Sequence, residues 1–104
     1  FPDNPGYQAS KGGLAALTRS LAYDLSKSNI RVNNIVPGYI HTQMTKESFI
    51  NEELRIQREN RMLIKRWGET KDLVGAAIFL ASDASSYITG SDIYVDGGWS
   101  IKGL

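Results

Sequence analysis

Tyr7 and Lys11 are the two residues of this sequence whose chemistry depends most on their spacing. Four residues apart in a stretch without internal proline, they share one side of a helix, about 5 to 6 Å apart at Cβ. A phenol ordinarily keeps its proton up to a pKa near 10, but a neighbouring ammonium favours the phenolate, and so does the positive end of a helix whose first turn holds Tyr7. Such a tyrosine can give and take a proton near neutral pH. The same pair also suits a plainer arrangement, with tyrosine packed at the helix start and lysine snorkelling outward. A second place for chemistry is Pro37-Gly38, a sharp turn after an apolar, branched run, because open α/β sheets hold ligands at the carboxyl ends of their strands. His41 and Thr42 lie just beyond it, and His41 is assigned no proton-transfer role.

The apolar pattern names the elements that must position these groups. Leu14, Leu17, Leu21 and Leu25 recur at helical steps, which predicts a helix over 7–28 whose leucine face turns inward and takes Tyr7 and Lys11 with it. Asn4 and Pro5 suit its start, and Asn29 suits the left-handed residue that ends it. Gly12 and Gly13 each cost about 1 kcal/mol relative to alanine, which suggests close packing there. Residues 30–36 read as a strand, weakened by Asn33 and Asn34. The polar segment 45–66, with six basic and four acidic residues, reads as one or two short helices or a lid. A helix over 71–81 follows, capped by Thr70, with Leu73, Val74, Ala77, Ile78 and Ala81 as its buried stripe. The last strand, 92–96, is closed by Gly97 and Gly98.

Two strands joined through a helical crossover make a parallel pair, the unit of doubly wound α/β folds. Two strands do not make a stable parallel sheet, so the expectation is the C-terminal part of a larger sheet whose N-terminal half is absent. The 104 residues suffice for one small domain, and 41% hydrophobic with 22% charged residues is an ordinary soluble composition. The absence of cysteine removes disulfides and thiolate chemistry, and a single histidine argues against a histidine-rich metal site, so no metal is expected. A net charge of +1 supplies no drive toward nucleic acid or anionic lipid, and no run is apolar enough to cross a bilayer. The expectation is a cytoplasmic protein acting on a small molecule. Trp67 and Trp99 read as packing residues.

Four stretches in order, Tyr7-Gln8-Ala9-Ser10-Lys11, Ile30 through Thr42, Arg66-Trp67-Gly68-Glu69 and Val95-Asp96-Gly97-Gly98, resemble the C-terminal half of the short-chain dehydrogenases/reductases. The resemblance spans nearly the whole chain. It implies a Rossmann-type single domain that moves a hydride between NAD or NADP and a carbonyl or alcohol. Tyr7 matches the family's acid/base, and Lys11 the lysine that lowers its pKa and holds the nicotinamide ribose. Pro37 and Gly38 match the turn beside the nicotinamide, Ile40 the backbone contact to its carboxamide, and Thr42 a side chain reaching the same region. Tyr39 and Met44 match the start of the substrate pocket and lid, and 45–66 the substrate-covering segment. The end of the chain resembles a segment that packs between subunits, which implies a homotetramer or homodimer. The family's glycine-rich cofactor turn and catalytic serine have no counterpart here, so this chain alone is expected to be inactive. The run from Pro37 to Thr45 resembles relatives acting on sugars, sugar acids or polyols and shares its frame with 3-oxoacyl reductases. The competing reading is a non-catalytic truncated module that pairs with a full-length relative.

Overall fold

The computed structural model of the chain describes residues 5–102, apart from the side chains of Tyr7 and Lys102. The chain forms two compact units, one made of the residues up to Asn34 with Leu80–Ile93, the other of Ile35–Phe79 with the residues from Tyr94 onward.

In the first unit, Asn29 sets where the first helix stops. Its backbone is left-handed (φ 60°, ψ 33°) and its N–H donates to the Ser26 carbonyl at 3.1 Å, a conformation that asparagine tolerates better than branched residues do. The helix α1 spans Pro5–Leu25 and tightens to a 3₁₀ turn over Ser26–Ser28, in place of one α-helix over 7–28. The expected cap, Asn4, lies outside the described residues.

The face of α1 that packs is not the leucine stripe. Lys11, Ala15, Thr18, Ala22 and Leu25 are buried or half-buried, whereas Leu14 is 50% and Leu17 52% exposed. Small side chains win because the partner comes close: a Cβ placed on Gly90 would lie 3.5 Å from the Ala22 methyl. Thr18 satisfies its buried hydroxyl on the Leu14 carbonyl at 2.8 Å. Gly12 and Gly13 have nothing within 4 Å of where a Cβ would stand, so the close packing expected there is absent among the described residues.

Two strands form the sheet, β1 (Asn34–Pro37) and β2 (Asp92–Val95). The Asn34 amide donates to the Ser91 carbonyl and the Gly38 amide to the Val95 carbonyl. This equal offset at the two ends is the register of a parallel ladder. β1 starts at Asn34, not Ile30, because Asn33 replaces the ladder with its side chain, which donates to the Ile88 carbonyl and accepts from the Ser91 amide, both at 3.0 Å. β2 stops one residue before Asp96, whose carboxylate is used to build a turn.

The crossover carries α2 (Lys46–Ile50), α3 (Glu52–Glu59) and α4 (Thr70–Ala81). Asn51 caps α3 by accepting the Leu54 amide at 3.1 Å. Thr70, expected just before α4, is its first residue. Within α4 the half-buried line is Leu73, Ala76 and Leu80. Val74 and Ile78 of the expected stripe are 51% and 63% exposed, and Ala77 and Ala81 are exposed as well. The reason is the same in both helices. Strands of four residues are about 13 Å long, and two of them cannot cover the apolar flanks of helices about 30 and 18 Å long.

Arg31 closes the first unit. One guanidinium nitrogen donates to Ser85 O at 2.8 Å, Ser85 Oγ at 3.0 Å and Ile88 O at 3.2 Å. The other reaches Leu80 O at 3.1 Å and Ser82 O at 3.3 Å. It thereby caps the carboxyl end of α4 and the loop that follows, in a role that carbonyl groups left over at a helix end require. Arg31→Met should destabilise the protein by about 2 to 4 kcal/mol, since several part-buried carbonyls lose their donor together. Urea unfolding checks this, and Arg31→Lys should recover only part of the loss.

Candidate active site

In the first unit, α1 places Tyr7 in its opening turns and Lys11 four residues on, half-buried at the head of the packed face. The inward lysine expected from the sequence is present, on a face of small residues. Beyond it, Arg19 grips Asp92 with both nitrogens, at 2.7 and 3.2 Å. That hydrogen bond, first, holds the Asp92 carboxyl below the usual carboxylate range against the opposing effect of burial. A hydrogen bond from Asn34 and the charges of Arg19 and Lys11 add to it. The Tyr7 side chain lies outside the described atoms.

In the second unit, the loop after β1 is built by pairing on both sides. Gly38 lies against Asp96, and a Cβ on Gly38 would stand 2.7 Å from the Asp96 Cβ and 2.8 Å from its Cα, so only glycine fits. Ile40 forms a parallel bridge with Gly68. The His41 amide donates to the Gly68 carbonyl at 2.8 Å, and the Gly68 amide to the Tyr39 carbonyl at 2.9 Å. Thr45 then folds the loop onto itself: its hydroxyl donates to the Ile40 carbonyl and accepts the Thr42 amide at 2.9 Å. The Ile40 amide differs from these neighbours. It belongs to a residue only 8% exposed and donates to no acceptor among the described residues. A buried donor of this kind is rare unless something else accepts from it.

Aromatic stacking ties the crossover to this loop. His41 stacks on Phe49 with centroids 3.8 Å apart, and Phe49 meets Trp67 edge-on at 5.5 Å. Tyr39 lies between Trp67 at 5.4 Å and Trp99 at 5.9 Å. Arg58 covers the Tyr39 ring at 4.9 Å and Arg55 the Phe49 ring at 5.6 Å, in cation–π contacts. Two of the basic residues of 45–66 are thus engaged with rings. Tyr39 is buried, whereas Met44 is 96% exposed. Cavities of about 360 Å³, bordered by Tyr39, Ile40, Met62, Arg66 and Asp96, and about 410 Å³, bordered by His41, Phe49, Glu59, Trp67 and Lys71, flank the loop. Both are of the size that small-molecule sites occupy. Among the described residues no cluster of three or more acidic or histidine side chains could hold a metal ion, and no helix is long and apolar enough to cross a membrane.

A family model described as Enoyl-(Acyl carrier protein) reductase matches residues 1–100. The chain belongs to the short-chain dehydrogenase/reductase family. Among relatives of this family, the 2-dehydro-3-deoxy-D-gluconate 5-dehydrogenase of Escherichia coli (strain K12) is 44% identical over 95 residues, covering 91% of this chain and 38% of its own. The structure of a 4-hydroxyisoleucine dehydrogenase complexed with NADH superposes with a TM-score of 0.87 at 41% identity, covering 90% of this chain and 39% of that one. A protein from Agrobacterium tumefaciens, provisionally named a 2-deoxy-D-gluconate 3-dehydrogenase and solved with bound NADP, gives 0.88 at 41% identity, covering 92% and 39%. The chain therefore spans less than two-fifths of the length of these short-chain dehydrogenase/reductase relatives, and its two strands are part of the Rossmann-type sheet of that family.

The sequence reading missed Thr45 and Asp96. Thr42 and Thr45 at a spacing of three, just ahead of a helix, are the available signal for the first, and an aspartate before two glycines is the signal for the second.

Arg66 and Asp72 brace the segment that carries Gly68, with contacts of 2.9 and 3.1 Å. The Arg66 hydrogen bond, and then the Glu69 amide, bring the Asp72 carboxyl down to about 2. A carboxyl held lower in the folded than in the unfolded chain adds stability that is complete above the unfolded value near 4 and vanishes as pH falls through the folded one. Asp72→Asn should therefore flatten the loss of stability between about pH 4 and 2, read from urea midpoints at a series of pH values. Gly38→Ala should cost about 1 to 3 kcal/mol, because its methyl would overlap the Asp96 backbone; thermal unfolding measures it.

Proposed function

We propose that the full-length protein is an NAD(P)-dependent oxidoreductase that interconverts a ketone and a secondary alcohol on a sugar acid or related polyol. The chain is then the C-terminal portion of one Rossmann-type domain, and Tyr7 is its acid/base, assisted by Lys11. The observation that carries this reading is Lys11 itself, half-buried on the packed face of α1 four residues after Tyr7 in a member of this family. An ammonium in that position favours the phenolate of a tyrosine one turn away.

The residues after β1 fit a nicotinamide cofactor. The unpaired amide of the buried Ile40 suits an acceptor such as a carboxamide oxygen, and the glycine at 38 lets the turn close against Asp96. In this reading Tyr7, Lys11, Pro37, Gly38, Ile40 and Thr42 hold the cofactor, which when bound accepts or supplies the hydride. Tyr7 would give its proton to the carbonyl oxygen during reduction and take it back during oxidation. Thr45 keeps Thr42 and Ile40 in place through its hydroxyl. The 45–66 segment would cover the substrate, with Tyr39 and Met44 at the border of its pocket. Homo-oligomerisation as a tetramer or dimer completes the reading, and the exposed Leu14, Leu17 and Ile78 are surface available for it and for the rest of the domain.

The names of the relatives favour a sugar acid, and the description of the family model favours an acyl-carrier substrate instead. That description names an enoyl group, which is reduced at its C=C bond, whereas the 3-oxoacyl alternative shares the ketone of a keto sugar acid, so one assay separates these two ketones. Nicotinamide absorbance should change with a keto-gluconate and not with a 3-oxoacyl thioester. In the full-length enzyme, Tyr7→Phe should lower turnover by about 10²- to 10⁴-fold while the cofactor still binds, as followed by fluorescence. Retained turnover would overturn the role of Tyr7.

A further inference from the structure

We propose that Asp96 is a positioning residue for the Pro37-Gly38 turn and, through the turn it begins, for the end of the 45–66 segment; the proposal rests on the reading that this turn faces a nicotinamide cofactor. Gly38 has no freedom on its Asp96 side. A Cβ there would come within 2.7 Å of the Asp96 Cβ, 2.8 Å of its Cα and 3.1 Å of its carbonyl oxygen. The Gly38 amide donates to Val95 O at 3.1 Å, so its Cα and its amide are both set by the chain at 95 and 96. Where residue 96 stands, the turn beside the cofactor stands.

Asp96 is itself held by its own carboxylate. Oδ1 accepts the Gly98 amide at 2.9 Å and Oδ2 the Ser100 amide at 3.0 Å, while its carbonyl accepts the Trp99 amide at 3.1 Å. The backbone between must take positive φ, 62° at Gly97 and 83° at Gly98, which glycine permits at little cost. Both carboxylate oxygens are thus spent on one short turn. That turn also receives the end of the crossover: Gly97 O accepts the Leu63 amide at 2.9 Å and the Ile64 amide at 2.8 Å. A Cβ on Gly98 would meet the Leu63 side chain at 2.7 Å. One aspartate therefore sets the position of two parts that must agree when the site closes, the cofactor turn and the anchor of the covering segment.

The test uses the full-length enzyme with NADH and NADPH as the probes. Asp96→Ala removes both acceptors and should raise the cofactor Kd about tenfold or more, and should speed amide exchange across 46–64. Asp96→Asn keeps one acceptor and should raise Kd by a smaller factor, about two- to fivefold, with exchange at 46–64 still faster than in the wild type, which keeps the test decisive where Asp96→Ala fails to fold. Arg31→Met serves as a control of lowered stability whose cofactor Kd should stay near the wild-type value. A wild type that binds neither nucleotide overturns the functional reading and this proposal with it. A wild type that binds, with Asp96 variants of unchanged Kd and unchanged exchange at 46–64, overturns the positioning role alone, as does an equal rise in Kd for Arg31→Met.

Discussion

The parallel pairing of β1 with β2 is the constraint on which the remaining structure depends. Parallel neighbours cannot be joined by a tight turn, so the chain leaves at the carboxyl end of β1, crosses over, and returns at the amino end of β2. α2, α3 and α4 are that crossover. The pairing also brings the carboxyl ends of both strands to one edge. Gly38 and Asp96 meet there so closely that a methyl on the first cannot be accommodated. The loop from Tyr39 to Thr45 starts from this contact and inherits its position.

Close approach, more than apolar bulk, decides which face of α1 is buried. Ala15, Thr18 and Ala22 line the packed side of α1, while the larger Leu14, Leu17 and Leu21 beside them stay exposed. Three arginines hold what packing leaves open, each by a different means. Arg31 collects carbonyl oxygens at the end of α4, Arg19 pairs with Asp92, and Arg66 pairs with Asp72. The last pair is solvent-exposed, and such pairs contribute little to stability at neutral pH. Its effect is geometric, because it braces the segment in which Gly68 bridges to Ile40.

Each unit holds its candidate residues in its own way. Lys11 is half-buried on the packed face of α1, four residues after Tyr7. The loop after β1 is held by backbone pairing, by the Thr45 hydroxyl and by stacked rings, and the amide of Ile40, a residue only 8% exposed, has no acceptor among the described residues. Preorganised donors of this sort act without reorganisation when a ligand arrives. The His41 ring, stacked on Phe49, supports the loop.

Local pattern made much of this legible. The stop at Asn29, the polar crossover with its short helices, the helix near 70–81, the glycine turn after the last strand and the Tyr7 and Lys11 spacing all arise from interactions within a few residues, which the order of residue types records. The start of β1 was not legible, because the side chain of Asn33 reaches residues far along the chain and substitutes for the ladder. Nor were the buried helix faces, since hydrophobic periodicity says which side could be covered and not how near the covering element comes. The sequence by itself determined the family and the order of the elements. Only the tertiary structure decided that Gly38 rests on Asp96, that Thr45 holds the loop and that the alanine face of α1 is the packed one, because each depends on distances between residues that the chain order leaves far apart or unranked.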